Sequence, residues 1–163
     1  MLLTRTPRLS IAALLTCWSL ACAAPGVSLR PDGRPGPEAC SDKALEVMRI
    51  LRLRPGEGAF MEIDANQVHQ SPITLTDGPV ESYLTEELGL LPVTTRLYGR
   101  IWTGGATVVI RYYEARPPDG DPIPICGVAR DDRGGLIKRP DSRPGVALLD
   151  NSGAAIWIVD AFR

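Results

Sequence analysis

Hydrophobic and polar residues alternate in short runs through the chain beyond residue 57, and glycine, proline or aspartate interrupts the runs about every ten residues. Alternation with a period of two is typical of strands that bury one face. The pattern predicts seven strands, over residues 59–63, 73–76, 94–103, 106–115, 123–129, 146–149 and 154–160.

A helical period occurs earlier, between residues 37 and 53. Its apolar residues recur at the spacing of one helix face, with acidic residues early and basic residues late, as the helix dipole favours. These apolar positions are Ala44, Val47, Met48 and Leu51. We predict one helix here, with Cys40 in its first turn. A second, short helix is predicted over residues 80–88, because Pro79 and Gly89 bracket it like a start and a stop. The fold class predicted from these elements is α+β, mainly an antiparallel β-sheet or open barrel with one N-terminal helix.

The two longest predicted strands are separated by Gly104 and Gly105. A Gly-Gly pair between alternating runs predicts a two-residue hairpin loop in which both glycines have positive φ. In that register Ile101 lies opposite Val108, and one face of the hairpin is apolar and belongs to the core. Arginine and aromatic side chains interleave on the other face, namely Arg96, Tyr98, Arg100, Trp102, Arg111 and Tyr113.

This Arg/aromatic face allows three interpretations. It is a solvated surface on which guanidinium groups stack against rings, a ligand-binding face, since arginine and aromatic residues are enriched in binding hot spots, or a face buried under the helices.

The first residues have the three parts of a secretory signal. Arg5 and Arg8 precede an uncharged apolar run, and small residues follow it. We predict a signal peptide over residues 1–21. The stretch Ser19-Leu20-Ala21-Cys22 is a loose match to a lipobox, which would leave Cys22 lipidated at the mature N-terminus. Alternatively, Ala21-Cys22-Ala23 is the cleavage site of a soluble secreted protein.

Residues 22–37 are rich in proline and glycine and have few large apolar side chains. Such a segment buries too little surface to offset the entropy of ordering it. We predict a tether over 22–37 and a single β-rich globular domain over 38–163.

Four cysteines are encoded, at positions 17, 22, 40 and 126. Cys17 leaves with the leader, and Cys22 is removed or lipidated, so Cys40 and Cys126 remain as one pair. A pair in an exported chain predicts a disulfide. The alternative is two unrelated buried thiols.

Charge and motifs narrow the function classes. The formal net charge of −1 argues against a nucleic-acid partner. The single histidine, His69, lies in a polar turn, and the sequence has no G-x-S-x-G, H-E-x-x-H or P-loop motif. No cysteine spacing indicates a metal site, and the turn carboxylates are too few for calcium. We predict no catalytic residues, no cofactor and no metal.

The leader, the tether, the single helix, the run "LYGRIWTGGATVVIRYYEARPPDGDPIPICGVAR" and the terminal "WIVDAFR" resemble an uncharacterised family of short exported, lipoprotein-like proteins of Gram-negative bacteria. Members sometimes carry a serine/threonine-kinase label. This sequence has none of the kinase glycine-loop, V-A-I-K, H-R-D or D-F-G motifs, so the resemblance implies location and no kinase chemistry.

We therefore expect an outer-membrane lipoprotein that faces the periplasm or the cell surface and has a non-catalytic structural or binding role. Its partners would be the membrane, through the lipid, and an envelope protein or glycan. The alternative is a secreted glycan- or peptide-binding module that uses the Arg/aromatic face. A hydrolase is the third and weakest hypothesis.

Overall fold

A computed structural model describes residues 27–163. The predicted signal peptide, the lipidation site Cys22 and the first five residues of the predicted tether lie outside these residues. The described chain has one helix, α1 (Asp42–Ile50). Its strands are β1 (Glu38–Ala39), β2 (Gly58–Glu62), β3 (Ile73–Thr76), β4 (Gly78–Leu84), β5 (Arg96–Trp102), β6 (Thr107–Arg116), β7 (Ile123–Arg130), β8 (Leu136–Ile137), β9 (Val146–Leu149), β10 (Gly153–Ile158) and β11 (Ala161–Phe162).

Six antiparallel strands form a closed barrel in the order β5-β4-β2-β10-β7-β6, and β6 pairs back with β5. The predicted α+β fold, mainly an antiparallel β-sheet or open barrel, is therefore wrong, because the described chain is mostly β and its barrel is closed. Closure gives every barrel strand a paired neighbour on each side, so the barrel has no edge strand. The helix is also not N-terminal, because residues 27–39, including β1, precede it.

The helix is shorter than the predicted span of residues 37–53. Ser41 caps it, and its side chain accepts a hydrogen bond from the Ala44 N–H at 3.2 Å. Cys40 precedes this cap, so its predicted place in the first helical turn is wrong. Glu38 and Ala39 instead pair with the C-terminal strand β11. The helix begins after Ser41 because the serine side chain satisfies a backbone donor that the first turn leaves free.

Residues 78–84 form strand β4, so the helix predicted over 80–88 is wrong. Val80, Ser82 and Leu84 are buried, and the residues between them point outward. The apolar spacing there fits both periods, and pairing with β2 and β5 decides for the strand.

The hairpin register predicted from the Gly-Gly pair is also wrong. Ile101 lies opposite Ile110 instead of Val108, and the first residues of β6 pair with β8. Gly104 and Gly105 do not have left-handed φ values. A Cβ on Gly104 would lie 2.8 Å from the Gly33 Cα, so this glycine is required for close backbone contact. From Gly99 to Trp102 the shift is two residues, so the faces keep their predicted parity there, and beyond the irregularity between Tyr98 and Gly99 it is three residues.

Both ends of the barrel are covered. At one end, α1 packs on β7, the Met48 sulfur lies 3.2 Å from the Cys126 backbone nitrogen, and the Leu90 N–H donates to the Leu51 carbonyl. At the other end, β3 and β9 form a two-stranded sheet that buries Ile73 and Leu149. The interior is filled by apolar side chains and one buried hydrogen bond of 2.6 Å between the hydroxyls of Ser82 and Tyr112.

The predicted disulfide between Cys40 and Cys126 is confirmed. The two Cα atoms are 6.1 Å apart, and both residues are buried. The bond joins the segment that leads into α1 to barrel strand β7. Within residues 27–163, no helix is long and apolar enough to cross a bilayer.

Candidate functional site

The Arg/aromatic face lies on the outside of the barrel and divides into an exposed and a buried half. Arg96 and Arg100 are exposed, and Tyr98 is half-buried. Trp102 and Arg111 are only 4% and 1% exposed. The alternation of the sequence does not distinguish these covered residues from the exposed ones.

In the exposed half of the Arg/aromatic face, arginine guanidinium groups lie over tyrosine rings. The Arg96 guanidinium lies 5.4 Å from the centre of the Tyr83 ring, and Arg116 lies 5.1 Å from that of Tyr98. Each arginine also pairs with a carboxylate, Arg96 with Glu81 at 3.3 Å and Arg116 with Glu114 at 2.9 Å. These exposed pairs satisfy one another, as on a solvated sheet surface, and each is worth at most about 1 kcal/mol.

In the buried half, the Arg111 guanidinium lies between two aromatic rings, 5.7 Å from Trp102 and 4.9 Å from Phe162. It donates to the Gly36 carbonyl at 2.8 Å and contacts the Glu38 carboxylate at 3.3 Å. Buried charges are tolerated only when they are paired and hydrogen-bonded in this way. Arg111 therefore joins both ends of the described chain to the barrel.

Tyr113 occupies a bulge between the pairs Tyr98–Glu114 and Gly99–Tyr112, and its hydroxyl donates to Glu38 at 2.9 Å. Burial, and after it the hydrogen bond to Glu38, raises the pKa of Tyr113 from 10.0 to about 12. Burial also raises the pKa of Tyr112, inside the barrel.

These two tyrosines predict a loss of stability at alkaline pH. Tyrosines in the unfolded chain ionise near pH 10, whereas the folded protein keeps Tyr113 protonated up to about pH 12. The free energy of unfolding should therefore be maintained below pH 10 and fall as the pH rises through about 12. In Tyr113→Phe this decline should be shallower, as measured by urea unfolding across that window. An identical slope in both proteins would contradict the assignment.

His69 lies exposed on the loop between β2 and β3, beside a shallow cavity of about 470 Å³. Its cavity neighbours include Asn66, Tyr83 and Arg96. Among the described residues, no serine, threonine or cysteine side chain forms a hydrogen bond with His69. The structure thus brings His69 to the edge of the exposed arginine surface, in a cavity that Thr94 also lines.

The outer face of β2, β10 and β7 carries a second aromatic surface that the sequence reasoning missed. Phe60 is 64% exposed and Trp157 is 36% exposed. With Ala155 and Arg130 they line a cavity of about 560 Å³, and we call these four residues the aromatic trough. The parity of the strands could have revealed it, because Phe60 shares a face with charged Glu62, and Trp157 shares one with Gly153.

Charged side chains surround one end of the aromatic trough. Asp131 and Asp132 line both it and a neighbouring polar groove of about 530 Å³, which continues to Lys138, Arg139 and Asp150. The Arg139 guanidinium forms ion pairs with Asp141 and Asp150, with N–O distances of 3.0 Å and 3.3 Å. The pKa of Asp141 is lowered by its hydrogen bond from Arg139. The trough and the groove form one continuous surface with an apolar and a charged part.

Over residues 27–163, no three His, Cys, Asp or Glu side chains are grouped to hold a metal ion. No family profile matches the chain, and no curated protein sequence matches it at a significant level. What these surfaces bind is therefore inferred from their own residues.

Proposed function

We propose that this chain is an exported envelope lipoprotein, held to the outer membrane through Cys22, whose barrel has a non-catalytic binding or structural role. The observation that carries this proposal is the buried Cys40–Cys126 disulfide. Disulfides form and persist in oxidising compartments such as the periplasm and the cell surface. The resemblance of the sequence to short exported, lipoprotein-like proteins also supports this proposal.

The N-terminal segment of the described chain limits the distance between a lipid on Cys22 and the barrel. Pro35 and Gly36 are buried against the barrel, where Arg111 contacts their carbonyls, so packing begins ahead of residue 38. Only five residue steps separate Cys22 from Val27, where the described chain begins. At about 3.6 Å per extended residue, this spacer reaches at most about 18 Å. A lipid on Cys22 would therefore keep the barrel close to the bilayer surface.

The second candidate is a secreted glycan- or peptide-binding module that uses the Arg/aromatic face. The exposed positions of Arg96, Tyr98 and Arg100 favour it. The burial of Trp102 and Arg111 counts against the full face as a contact surface, since neither side chain is accessible in the folded barrel.

Replacing Cys22 tests the anchor. We expect the Cys22→Ser protein to move from the membrane fraction to the soluble fraction, because serine provides no thiol for lipidation. Cys17→Ser is the matched control, since this cysteine lies in the leader under either cleavage, and it should leave the protein in the membrane fraction. A wild-type protein that is already soluble and begins at Ala24 would contradict the proposal.

A further inference from the structure

The aromatic trough has a regular construction on three neighbouring strands. In one row of paired residues Phe60 lies beside Ala155, which lies beside Arg130. In the next row Gly58 lies beside Trp157, which lies beside Val128. The small side chain of Ala155 thus separates Phe60 from Arg130, and Gly58, which has no side chain, leaves space beside Trp157. The result is a depression with apolar walls and one cationic end.

Gly58 provides the seat for the indole of Trp157. A Cβ at Gly58 would lie 3.0 and 3.2 Å from two atoms of the indole ring, which shows that the ring lies directly against this glycine. A ring supported on one side by the sheet keeps the other side available to a ligand. Aromatic side chains combine large contact area with few rotatable bonds, so such a platform loses little entropy on binding.

The backbone under the trough is already paired. β2, β10 and β7 are hydrogen-bonded to one another in continuous antiparallel register. Extended peptides usually bind by adding a strand to a free sheet edge, and this surface offers none. Recognition here must come from ring faces and side-chain charges.

The polar groups at the rim differ in their availability. Asp131 accepts hydrogen bonds from the backbone N–H groups of Arg133 and Gly135, and Glu62 accepts one from the Ser152 hydroxyl. Within the described part of the chain, the side chains of Arg130 and Asp132 have no recorded hydrogen bond or ion pair. They leave one cationic donor and one anionic acceptor free at the rim.

We propose that the aromatic trough binds a neutral pyranose ring of an oligosaccharide. The apolar C–H face of the ring would stack on Trp157 and pack against Phe60, and its hydroxyls would donate to Asp132 and accept from Arg130. The three carboxylates at the rim, Glu62, Asp131 and Asp132, outnumber the single arginine, so acidic sugars are disfavoured. The polar groove that shares Asp131 and Asp132 provides room for further sugar units. This inference rests on the proposed role as a binding domain and names its ligand class.

Calorimetric titration of the purified barrel with cellohexaose, chitohexaose and hexagalacturonate tests the assignment. We expect saturable binding of a neutral hexaose and no binding of the acidic one. Trp157→Ala and Phe60→Ala should each lower the affinity for the neutral hexaose at least about tenfold, as truncation of a binding hot-spot residue does. Leu90→Ala is the matched control, because Leu90 is 55% exposed at the helix end of the barrel, and it should bind like wild type. All three altered side chains are exposed, so thermal unfolding should confirm that the variants fold.

Other outcomes would overturn the proposal. Loss of hexaose binding in Tyr98→Ala with retention in Trp157→Ala would assign the ligand to the Arg/aromatic face. If the protein binds peptides on a random-peptide array, loses this binding in Trp157→Ala and binds no hexaose, the ligand of the aromatic trough is a peptide. Failure to bind either neutral hexaose would refute the sugar site, while the Cys22→Ser fractionation would still decide the envelope anchor separately.

Discussion

Replacing Arg111 with methionine is expected to lower the free energy of unfolding by about 3 kcal/mol. Methionine approximates the length of the arginine stem and keeps apolar contact with Trp102 and Phe162. It provides no donor, so the Gly36 carbonyl loses the hydrogen bond from Arg111, and the Glu38 carboxylate loses its ion pair and keeps only the hydrogen bond from Tyr113. Because Glu38 is about one-third exposed, water reduces part of that loss, and we expect the lower end of the range for broken buried pairs.

Arg100→Met is the matched control for this experiment. The Arg100 guanidinium also lies 5.7 Å from the Trp102 ring, but on the exposed side. Its replacement should change the free energy of unfolding by no more than about 0.5 kcal/mol. Urea unfolding followed by tryptophan fluorescence measures both variants. Equal effects would contradict the structural difference between the two arginines.

Removing the disulfide is expected to have an effect of similar or greater size. The bond spans 86 residues, and in the chain-entropy account a loop of this length stabilises the folded state by about 4 kcal/mol. Cys40→Ala combined with Cys126→Ala should therefore lower the midpoint of urea unfolding strongly. Alanine is the suitable replacement, because both positions are buried and a hydroxyl there would need a partner.

Reduction of the wild-type protein is the control for the double alanine variant. If the bond acts mainly on the unfolded chain, reduced wild type and the variant should unfold at nearly the same denaturant concentration. A variant as stable as the oxidised wild type would contradict a structural role for the bond. Two freely alkylated thiols in native, unreduced protein would show that the bond does not form.

The strands with clear alternation could be predicted from the sequence, and β3 (Ile73–Thr76) and β9 (Val146–Leu149) agree residue for residue. Barrel closure could not, because it depends on β10 pairing with both β2 and β7, and β2 lies near the other end of the described chain. Strands β1 and β11 have two residues each and no pattern of their own. They form because contact with each other and with the barrel orders them.

The candidate functional site could be predicted only in part, because contacts between residues far apart in the sequence also form it. Alternation placed Trp102 and Arg111 on the outer side of the sheet. The burial of Arg111 depends on Gly36 and Phe162, which come from opposite ends of the described chain and carry no local signal for that contact. A Pro/Gly-rich composition also favours disorder over packing, so the sequence gives no reason to expect Pro35 and Gly36 against the barrel. Phe60 and Trp157 are 97 residues apart in the sequence (157 − 60), and the pairing of β2 with β10 brings them together.

Intact-mass analysis of the protein purified from its native membranes tests the central claim, an exported, lipid-anchored and disulfide-bonded barrel, most directly. The account predicts a chain that begins at Cys22, carries added acyl mass on that residue, and has two hydrogens fewer than the fully reduced form because Cys40 and Cys126 are bonded. A chain that retains residues 1–21 and has the mass of fully reduced, unlipidated protein would contradict it.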